Sequence, residues 1–124
     1  MTEKIVYLDN NATTKIDPIA LEAMLPYFCE FYGNPSSTHE FGGKVSYAIK
    51  EARESVRDLL GAKDEKEIIF TGSGSESANM AIRGVLEANK NKKHIITTKV
   101  EHPCVLNVYK YFEKQGYEVT YLNV

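Results

Sequence analysis

The sequence predicts an α/β fold in which parallel strands alternate with helices. From residue 67 onward, short β-prone segments at 67–71, 94–98 and 117–124 alternate with helical segments at 75–89 and 103–115. This alternation implies parallel strands that are joined by right-handed crossovers. In the first two predicted strands the apolar residues are consecutive, as expected when helices cover both faces of a sheet. They are Ile68-Ile69-Phe70 and Ile95-Ile96.

The first part of the chain predicts an extended start followed by a helix. Residues 5–8 are β-prone and precede a turn-rich polar cluster at 9–14, so the chain begins with a strand or an extended arm. Asp17 offers a capping acceptor and Pro18 a suitable φ, which together predict a helix start. We expect Pro26 to bend this helix.

A second helix is predicted after the loop at 33–37, with His39 at its start and Gly61 just past its end. Its apolar residues recur every three or four positions, which makes it amphipathic. The apolar positions are Phe41, Val45, Ala48, Ala52, Val56 and Leu59, and the charged face carries Lys50, Glu54 and Asp58.

Length and composition limit the possible classes of protein. At 124 residues the chain predicts one domain with a single hydrophobic core. The last strand runs to the final residue, so we expect the sheet to be incomplete within these residues. Its 15 basic and 17 acidic residues are interspersed, which argues against a nucleic-acid partner. The short apolar runs and the polar residues 1–4 argue against a membrane protein and favour the cytoplasm.

The cysteines and histidines do not predict a metal site. Cys29 and Cys104 are the only cysteines, and neither has a Cys or His at metal-ligand spacing, so we expect reduced thiols. His94 opens a predicted strand beside two lysines and is expected to be exposed.

The most informative segment is the turn that leads from the predicted strand at 67–71 into the next helix. Main-chain N–H groups from Gly72 to Ser75 would converge at the helix N-terminus, where the helix dipole favours an anion such as phosphate. The alternative is a capping box formed by Ser73 and Glu76, which needs no ligand. The spacing leaves both interpretations open, although it matches neither a Walker A loop nor a complete dinucleotide-binding fingerprint.

His102 follows the carboxyl end of the strand at 94–98, the edge where open α/β sheets bind ligands. Its imidazole could stack on a flat ligand or transfer protons. The simpler interpretation is a helix cap or a surface residue. Cys104 lies in the first turn of the next helix, where a thiol could be nucleophilic, but a buried small apolar role is favoured.

Four blocks of sequence, taken in their order along the chain, carry a resemblance to a known family. The blocks are Tyr7-Leu8-Asp9-Asn10-Asn11-Ala12-Thr13-Thr14, Gly33-Asn34-Pro35-Ser36-Ser37, Ile69-Phe70-Thr71-Gly72-Ser73-Gly74-Ser75-Glu76-Ser77-x-Asn79, and Ile95-Ile96-Thr97-Thr98 through Glu101-His102. Together they resemble the cysteine desulfurases of the NifS/IscS type, pyridoxal-phosphate enzymes of the class V aminotransferase group. The resemblance covers about Val6 to Val124.

The resemblance implies the N-terminal part of the large domain of a pyridoxal-phosphate-dependent transferase, which is an aspartate aminotransferase-like α/β fold. In relatives, an arm matching residues 1–15 belongs to the small domain. Residues 16–124 would then be the first part of the large cofactor-binding domain, which they leave incomplete.

The resemblance also implies roles for individual residues. It places the cofactor phosphate on Gly74 and Ser75, although the family often has threonine at the position of Ser75. It makes His102 both a cofactor-binding and a catalytic residue, which stacks on the pyridine ring and assists proton transfer. The substrate-side residues implied by the resemblance are Asn11, Ala12 and Thr13.

The activity implied is the conversion of L-cysteine to L-alanine, with sulfur passed as a persulfide to an iron-sulfur scaffold or another acceptor protein, by a homodimer. Family members carry the Schiff-base lysine, the nucleophilic cysteine, the pyridinium-paired aspartate and the substrate-binding arginine further along the chain. We therefore expect these 124 residues to be inactive alone. The alternatives are a stand-alone phosphate-ligand-binding or assembly module that pairs with another chain and, less favoured, a nucleotide-binding domain.

Overall fold

The computed structural model describes residues 5–124, so residues 1–4 of the predicted arm lie outside the described residues. The chain forms two compact units, of which the first ends at Ile68 and the second spans Ile69–Val124. The prediction of one compact domain is therefore wrong. The described residues contain one core cluster of buried apolar side chains, as predicted, but it lies within the second unit, and many apolar side chains of the first unit are exposed.

The first unit begins with residues that form neither a helix nor a strand. Residues 5–8 form no strand, so the strand alternative is wrong for the described residues, and the arm alternative stays a prediction. Ile5 and Leu8 are exposed. The following polar cluster is a turn, in which the main-chain N–H groups of Ala12 and Thr13 donate to the carbonyl oxygen of Asp9 over 3.1 and 3.4 Å. The prediction of a turn is confirmed.

Two short helices follow, α1 (Pro18–Met24) and α2 (Pro26–Cys29). The side chain of Asp17 accepts a hydrogen bond from the main-chain nitrogen of Ile19 over 2.8 Å, which confirms the predicted cap. The predicted bend at Pro26 takes the form of an interruption between the two helices, because proline cannot donate the helical hydrogen bond expected at its position.

The long helix α3 (Glu40–Leu60) confirms the second predicted helix at both ends. Nδ1 of His39 accepts from the main-chain nitrogen of Gly42 over 3.2 Å and caps the start of the helix. Gly61 closes it with φ 68°, a left-handed conformation that glycine adopts without strain.

The predicted strand at 67–71 is absent. Glu65–Glu67 instead form a short 3₁₀ turn whose ends are closed by reciprocal bonds between the side chains and main chain of Asp64 and Glu67. Ile68 is extended, with φ −96° and ψ 116°, but none of residues 67–71 pairs with another strand. Local side-chain bonds of this kind compete with a strand ladder, which also needs a partner strand.

The second unit contains, in order, α4 (Gly74–Ala88), β1 (His94–Thr98), α5 (Pro103–Lys114) and β2 (Glu118–Leu122). The two strands are parallel, with Ile95 opposite Val119, which confirms the predicted alternation. The described residues form a sheet of two strands rather than the three predicted, because the segment at 67–71 does not join it.

The core of this unit lies on one face of the sheet. Ile95 and Thr97 of β1 are buried, whereas Ile96 between them is 63% exposed. The buried face packs against Val108 and Phe112 of α5, and the partly buried side chains of the cluster include Ile82 and Leu86 of α4. The expectation that helices cover both sheet faces is therefore not met among the residues that the structure describes.

None of the described helices has both the length and the apolar character that are needed to span a bilayer. Residues 5–124 also contain no group of three or more His, Cys, Asp and Glu side chains that could hold a metal ion.

Gly42 makes α3 sensitive to a single methyl group. A Cβ at this position would lie 2.5 Å from the carbonyl oxygen of Asn34 and 2.8 Å from Cβ of Ser37. We expect Gly42→Ala to lower the free energy of unfolding by about 1–3 kcal/mol through overpacking. Gly43→Ala is the matched control, because a Cβ there meets nothing within 4 Å.

The control should raise the free energy of unfolding by about 0.5–1 kcal/mol, the usual gain of alanine over glycine inside a helix. Urea unfolding followed by circular dichroism measures both variants. Equal effects of the two substitutions would contradict the close approach of α3 to the loop before it.

Candidate functional site

The N-terminus of α4 is capped by its own side chains. Ser73 is extended, and its Oγ accepts from the main-chain nitrogen of Glu76 over 3.2 Å. The carboxylate of Glu76 accepts from the main-chain nitrogen of Gly72 over 2.7 Å. A variant of the predicted capping box is thus formed, in which the carboxylate reaches Gly72 rather than Ser73.

Two residues of this turn keep their donors free. Neither the main-chain N–H groups of Gly74 and Ser75 nor the hydroxyl of Ser75 makes a hydrogen bond to any part of the chain that the structure describes. Both residues are exposed, and a Cβ on Gly74 would meet nothing within 4 Å. Exposed donors at the positive end of a helix suit a phosphate group, so these two residues fit the predicted contact.

Glu76 alters the electrostatics of the same turn. Its carboxylate accepts a hydrogen bond from the N–H group of Gly72, so that this donor is no longer available to a ligand. The sequence had suggested that Gly72 is one of the converging donors. It also places a negative charge in the first turn of α4, where a phosphate would meet like-charge repulsion. The turn therefore offers an anion fewer donors and a weaker field than the sequence suggested.

Sequence analysis missed a second set of contacts that holds this turn. The hydroxyl of Thr71 donates to the carbonyl oxygen of Ser73 over 3.1 Å and is also hydrogen-bonded to the hydroxyl of Ser77. These bonds tie the extended segment to the start of α4 and fix the path of the main chain around Gly74. The available signal was the pair of hydroxyl residues that flank the glycine-serine segment.

His102 is the N-cap of α5, as the simpler interpretation predicted. Its Nδ1 accepts from the main-chain nitrogen of Cys104 over 3.2 Å and lies 3.0 Å from Sγ of the same residue. His102 is exposed, so its imidazole is accessible to a ligand. Its stacking and catalytic roles stay predictions.

The prediction that Cys104 is a buried small apolar residue is wrong. It is only half-buried, and its thiol contacts the imidazole of His102. The contact arises because Pro103 begins the helix and the capping side chain folds back over the first turn. The sequence signal for this contact was the spacing of His102 and Cys104 on either side of Pro103. Cys29 is exposed, and both thiols are free, as expected.

A surface cavity of about 500 Å³ lies in the second unit. Its lining includes Ala78 of α4, Thr98 at the carboxyl end of β1, and Glu101. The lining does not include Gly74, Ser75 or His102, although Ala78 follows Ser75 by three residues and Glu101 immediately precedes His102. The cavity therefore lies near the sheet edge where α/β folds bind ligands, but it does not by itself bring the predicted site residues together.

The predicted substrate-side residues Asn11, Ala12 and Thr13 lie in the first unit. All three are exposed, and the hydroxyl of Thr13 is hydrogen-bonded to that of Tyr7 over 2.8 Å. Their geometry is that of the turn described above, and their role at a substrate entrance stays a prediction.

Comparisons with known proteins agree with this architecture. A cysteine desulfurase from Nostoc sp. is 60% identical over 120 residues, which make up 97% of this chain and 30% of that protein. A solved NifS-like protein superposes with a TM-score of 0.88 at 42% identity, covering 94% of this chain and 32% of that one. SspA, solved in complex with cysteine, gives a TM-score of 0.86 at 43% identity and covers 94% of this chain and 33% of its own.

The chain therefore spans about 30% of the length of the curated relatives it matches. The profile of the aminotransferase class-V family matches residues 6–124, nearly the whole sequence. With this match, the parallel α/β arrangement and the similarity to NifS-like structures, the chain belongs to the aminotransferase class-V family, whose members depend on pyridoxal phosphate.

Proposed function

We propose that the chain is the phosphate-binding and ring-binding part of a cysteine desulfurase, which converts L-cysteine to L-alanine and passes the sulfur on as a persulfide. The observation that carries the proposal is the set of unpartnered donors at Gly74 and Ser75. They occur in a chain that is 60% identical to a cysteine desulfurase over 120 residues.

In this proposal the N–H groups of Gly74 and Ser75 and the hydroxyl of Ser75 bind the cofactor phosphate. His102 stacks on the cofactor ring and acts as a catalytic residue, and Asn11, Ala12 and Thr13 lie on the substrate side. Pyridoxal phosphate, when bound, supplies the electron sink, while the protein orients it and keeps competing groups away. The free donors support the phosphate contact, and the exposed imidazole supports the ring contact. The placement of Asn11, Ala12 and Thr13 rests on the family resemblance.

In this proposal, the lysine that links the cofactor and the nucleophilic cysteine lie in a part of the protein outside these 124 residues. Residues 1–15 would form an arm of the small domain, and residues 16–124 the first part of the large domain. The proposed assembly is a cytoplasmic homodimer that delivers sulfur to an iron-sulfur scaffold or another acceptor protein. The cysteine bound in the SspA structure supports L-cysteine as the substrate.

A non-reactive cofactor analogue tests the proposed phosphate site in this chain. Pyridoxine 5′-phosphate has the ring and the phosphate but lacks the aldehyde that would react with any lysine. We expect it to shift the amide resonances of Gly74 and Ser75 in ¹H–¹⁵N spectra, because their N–H groups would bind the phosphate. Pyridoxine without the phosphate is the control. Equal shifts with both compounds, or none at these amides, would contradict the assignment.

Ser75 is predicted to be required for cofactor retention in a full-length desulfurase that carries this segment. Ser75→Glu removes a hydroxyl donor and adds a like charge, so we expect at least about tenfold weaker retention, the equivalent of one lost charge-assisted hydrogen bond. Ser75→Thr keeps the hydroxyl and should retain the cofactor. The measurement is cofactor absorbance after dialysis, and unchanged retention in Ser75→Glu would sink the assignment.

Glu76 is predicted to oppose anion binding at the same turn. Glu76→Gln keeps an oxygen acceptor for the N–H group of Gly72 but removes the negative charge from the first turn of α4. We expect about two- to fivefold tighter binding of pyridoxine 5′-phosphate at low salt, the usual size of a charge effect at a helix end.

Glu87→Gln is the matched control for this prediction, since it makes the same charge change on an exposed residue near the other end of α4. Titration of each variant with pyridoxine 5′-phosphate, followed by nuclear magnetic resonance, gives the two affinities. An equal gain in both variants would mean that net charge, rather than the charge at this turn, controls binding.

A further inference from the structure

The contacts of His102 fix which of its nitrogens can carry a proton. The main-chain nitrogen of Cys104 lies 3.2 Å from Nδ1 and donates to it. A main-chain N–H group can only donate, so Nδ1 must offer its lone pair. In a neutral imidazole the single proton is then on Nε2, because a proton on Nδ1 would face the amide hydrogen of Cys104.

The thiol of Cys104 reinforces this arrangement. Its Sγ lies 3.0 Å from the same Nδ1, and a neutral thiol can direct its proton toward that nitrogen. The neighbouring carboxylate of Glu101 accepts instead from the hydroxyl of Thr98 over 3.2 Å. Both hydrogen-bonding contacts of Nδ1 in the described structure therefore come from Cys104, and Nε2 is left for a ligand.

We infer that Cys104 is a positioning residue that holds His102 as the Nε2–H tautomer, so that His102 presents a hydrogen-bond donor to whatever binds beside it. If the imidazole gains a second proton, that proton goes to Nδ1, and Nε2 still carries its own. Nε2 is thus a donor in both protonation states, and the ligand atom that faces it is an acceptor, such as a phenolate or carboxylate oxygen.

The inference concerning the ligand rests on the proposed function, whereas the tautomer does not. Neutral His102 cannot accept a proton at Nε2, which already carries one. Loss of that proton from the neutral ring would leave an imidazolate, so the role of Nε2 is to donate a hydrogen bond and not to transfer its proton. While the ring is neutral, a group other than Nε2 of His102 must accept a proton from the substrate. The catalytic role that the resemblance implied for His102 is thereby limited, at Nε2, to the donation of a hydrogen bond.

The chain contains two other histidines that serve as internal references. Nδ1 of His39 also accepts from a main-chain nitrogen, that of Gly42, over 3.2 Å, but without a thiol nearby. His94 differs, because its Nε2 lies 2.8 Å from the hydroxyl of Thr120, which can donate or accept. His39 should therefore share the tautomer of His102, and His94 is not constrained in this way.

Long-range ¹H–¹⁵N correlation spectra of the ligand-free chain, labelled at histidine, test the inference directly. We expect the Nε2–H pattern for His102, with assignments from His39→Gln and His94→Gln. Cys104→Ser retains a hydroxyl donor and should keep that pattern. Cys104→Asp places a charged acceptor beside Nδ1 and should lower the ratio of the Nε2–H to the Nδ1–H form by roughly tenfold.

The unchanged tautomer of His39 in Cys104→Asp, together with an unchanged circular dichroism spectrum, would show that the variant is folded. An Nδ1–H or evenly mixed pattern for His102 in the unsubstituted chain would overturn the inference. So would a ratio that does not change in folded Cys104→Asp. Failure to bind pyridoxine 5′-phosphate would count against the proposed function alone, because the tautomer is measured without ligand.

Discussion

The constraint on which most of the described structure depends is that the first main-chain N–H groups of a helix need acceptors. Side chains supply them at four of the five α-helices and at the 3₁₀ turn. The capping residues are Asp17, His39, Asp64, Ser73 and His102. The remaining helix, α2, begins at a proline, which has no N–H group to satisfy at that position.

The same requirement produces the candidate site. At α4 the cap uses the N–H groups of Glu76 and Gly72 and leaves those of Gly74 and Ser75 exposed. The helix start is thus capped without a ligand, and the N–H groups of Gly74 and Ser75 stay free for the proposed phosphate. The two interpretations that the sequence left open, a capping box and a phosphate site, compete only for the N–H group of Gly72.

Features that depend on local chemistry could be predicted from the sequence. The Asp17 cap, the Pro26 interruption, the Gly61 terminus and the start of β1 at His94 all follow from neighbouring residues. Non-local features could not. A strand at 67–71 needed a partner strand, and a single compact domain needed the apolar side chains of the first unit to be buried in the same core as those of the second.

The site shows the same division between local and non-local information. The free donors at Gly74 and Ser75 could be anticipated, because glycine and serine before a helical pattern are a local signal. The hydrogen bond from the N–H group of Gly72 to the carboxylate of Glu76 could not be anticipated, since it depends on which rotamer the Glu76 side chain adopts. The contact between His102 and Cys104 also depends on a side-chain conformation, because the imidazole of His102 must turn back toward the first turn of α5.

These contacts give the two helix starts of the second unit a common chemical character. At α4 the exposed groups are donors from the main chain and from Ser75, and at α5 the exposed nitrogen of His102 is a donor because its other nitrogen is used as a cap. Capping by a histidine has this consequence generally: the nitrogen that caps must accept, so the nitrogen that faces solvent must donate. In the proposed function, a ligand that contacts both helix starts is therefore recognised by its acceptors, which a phosphate group and an oxygen-substituted aromatic ring both provide. The carboxylates of Glu76 and Glu101 are each directed to a donor of their own segment, and this pairing leaves the other donors available to that ligand.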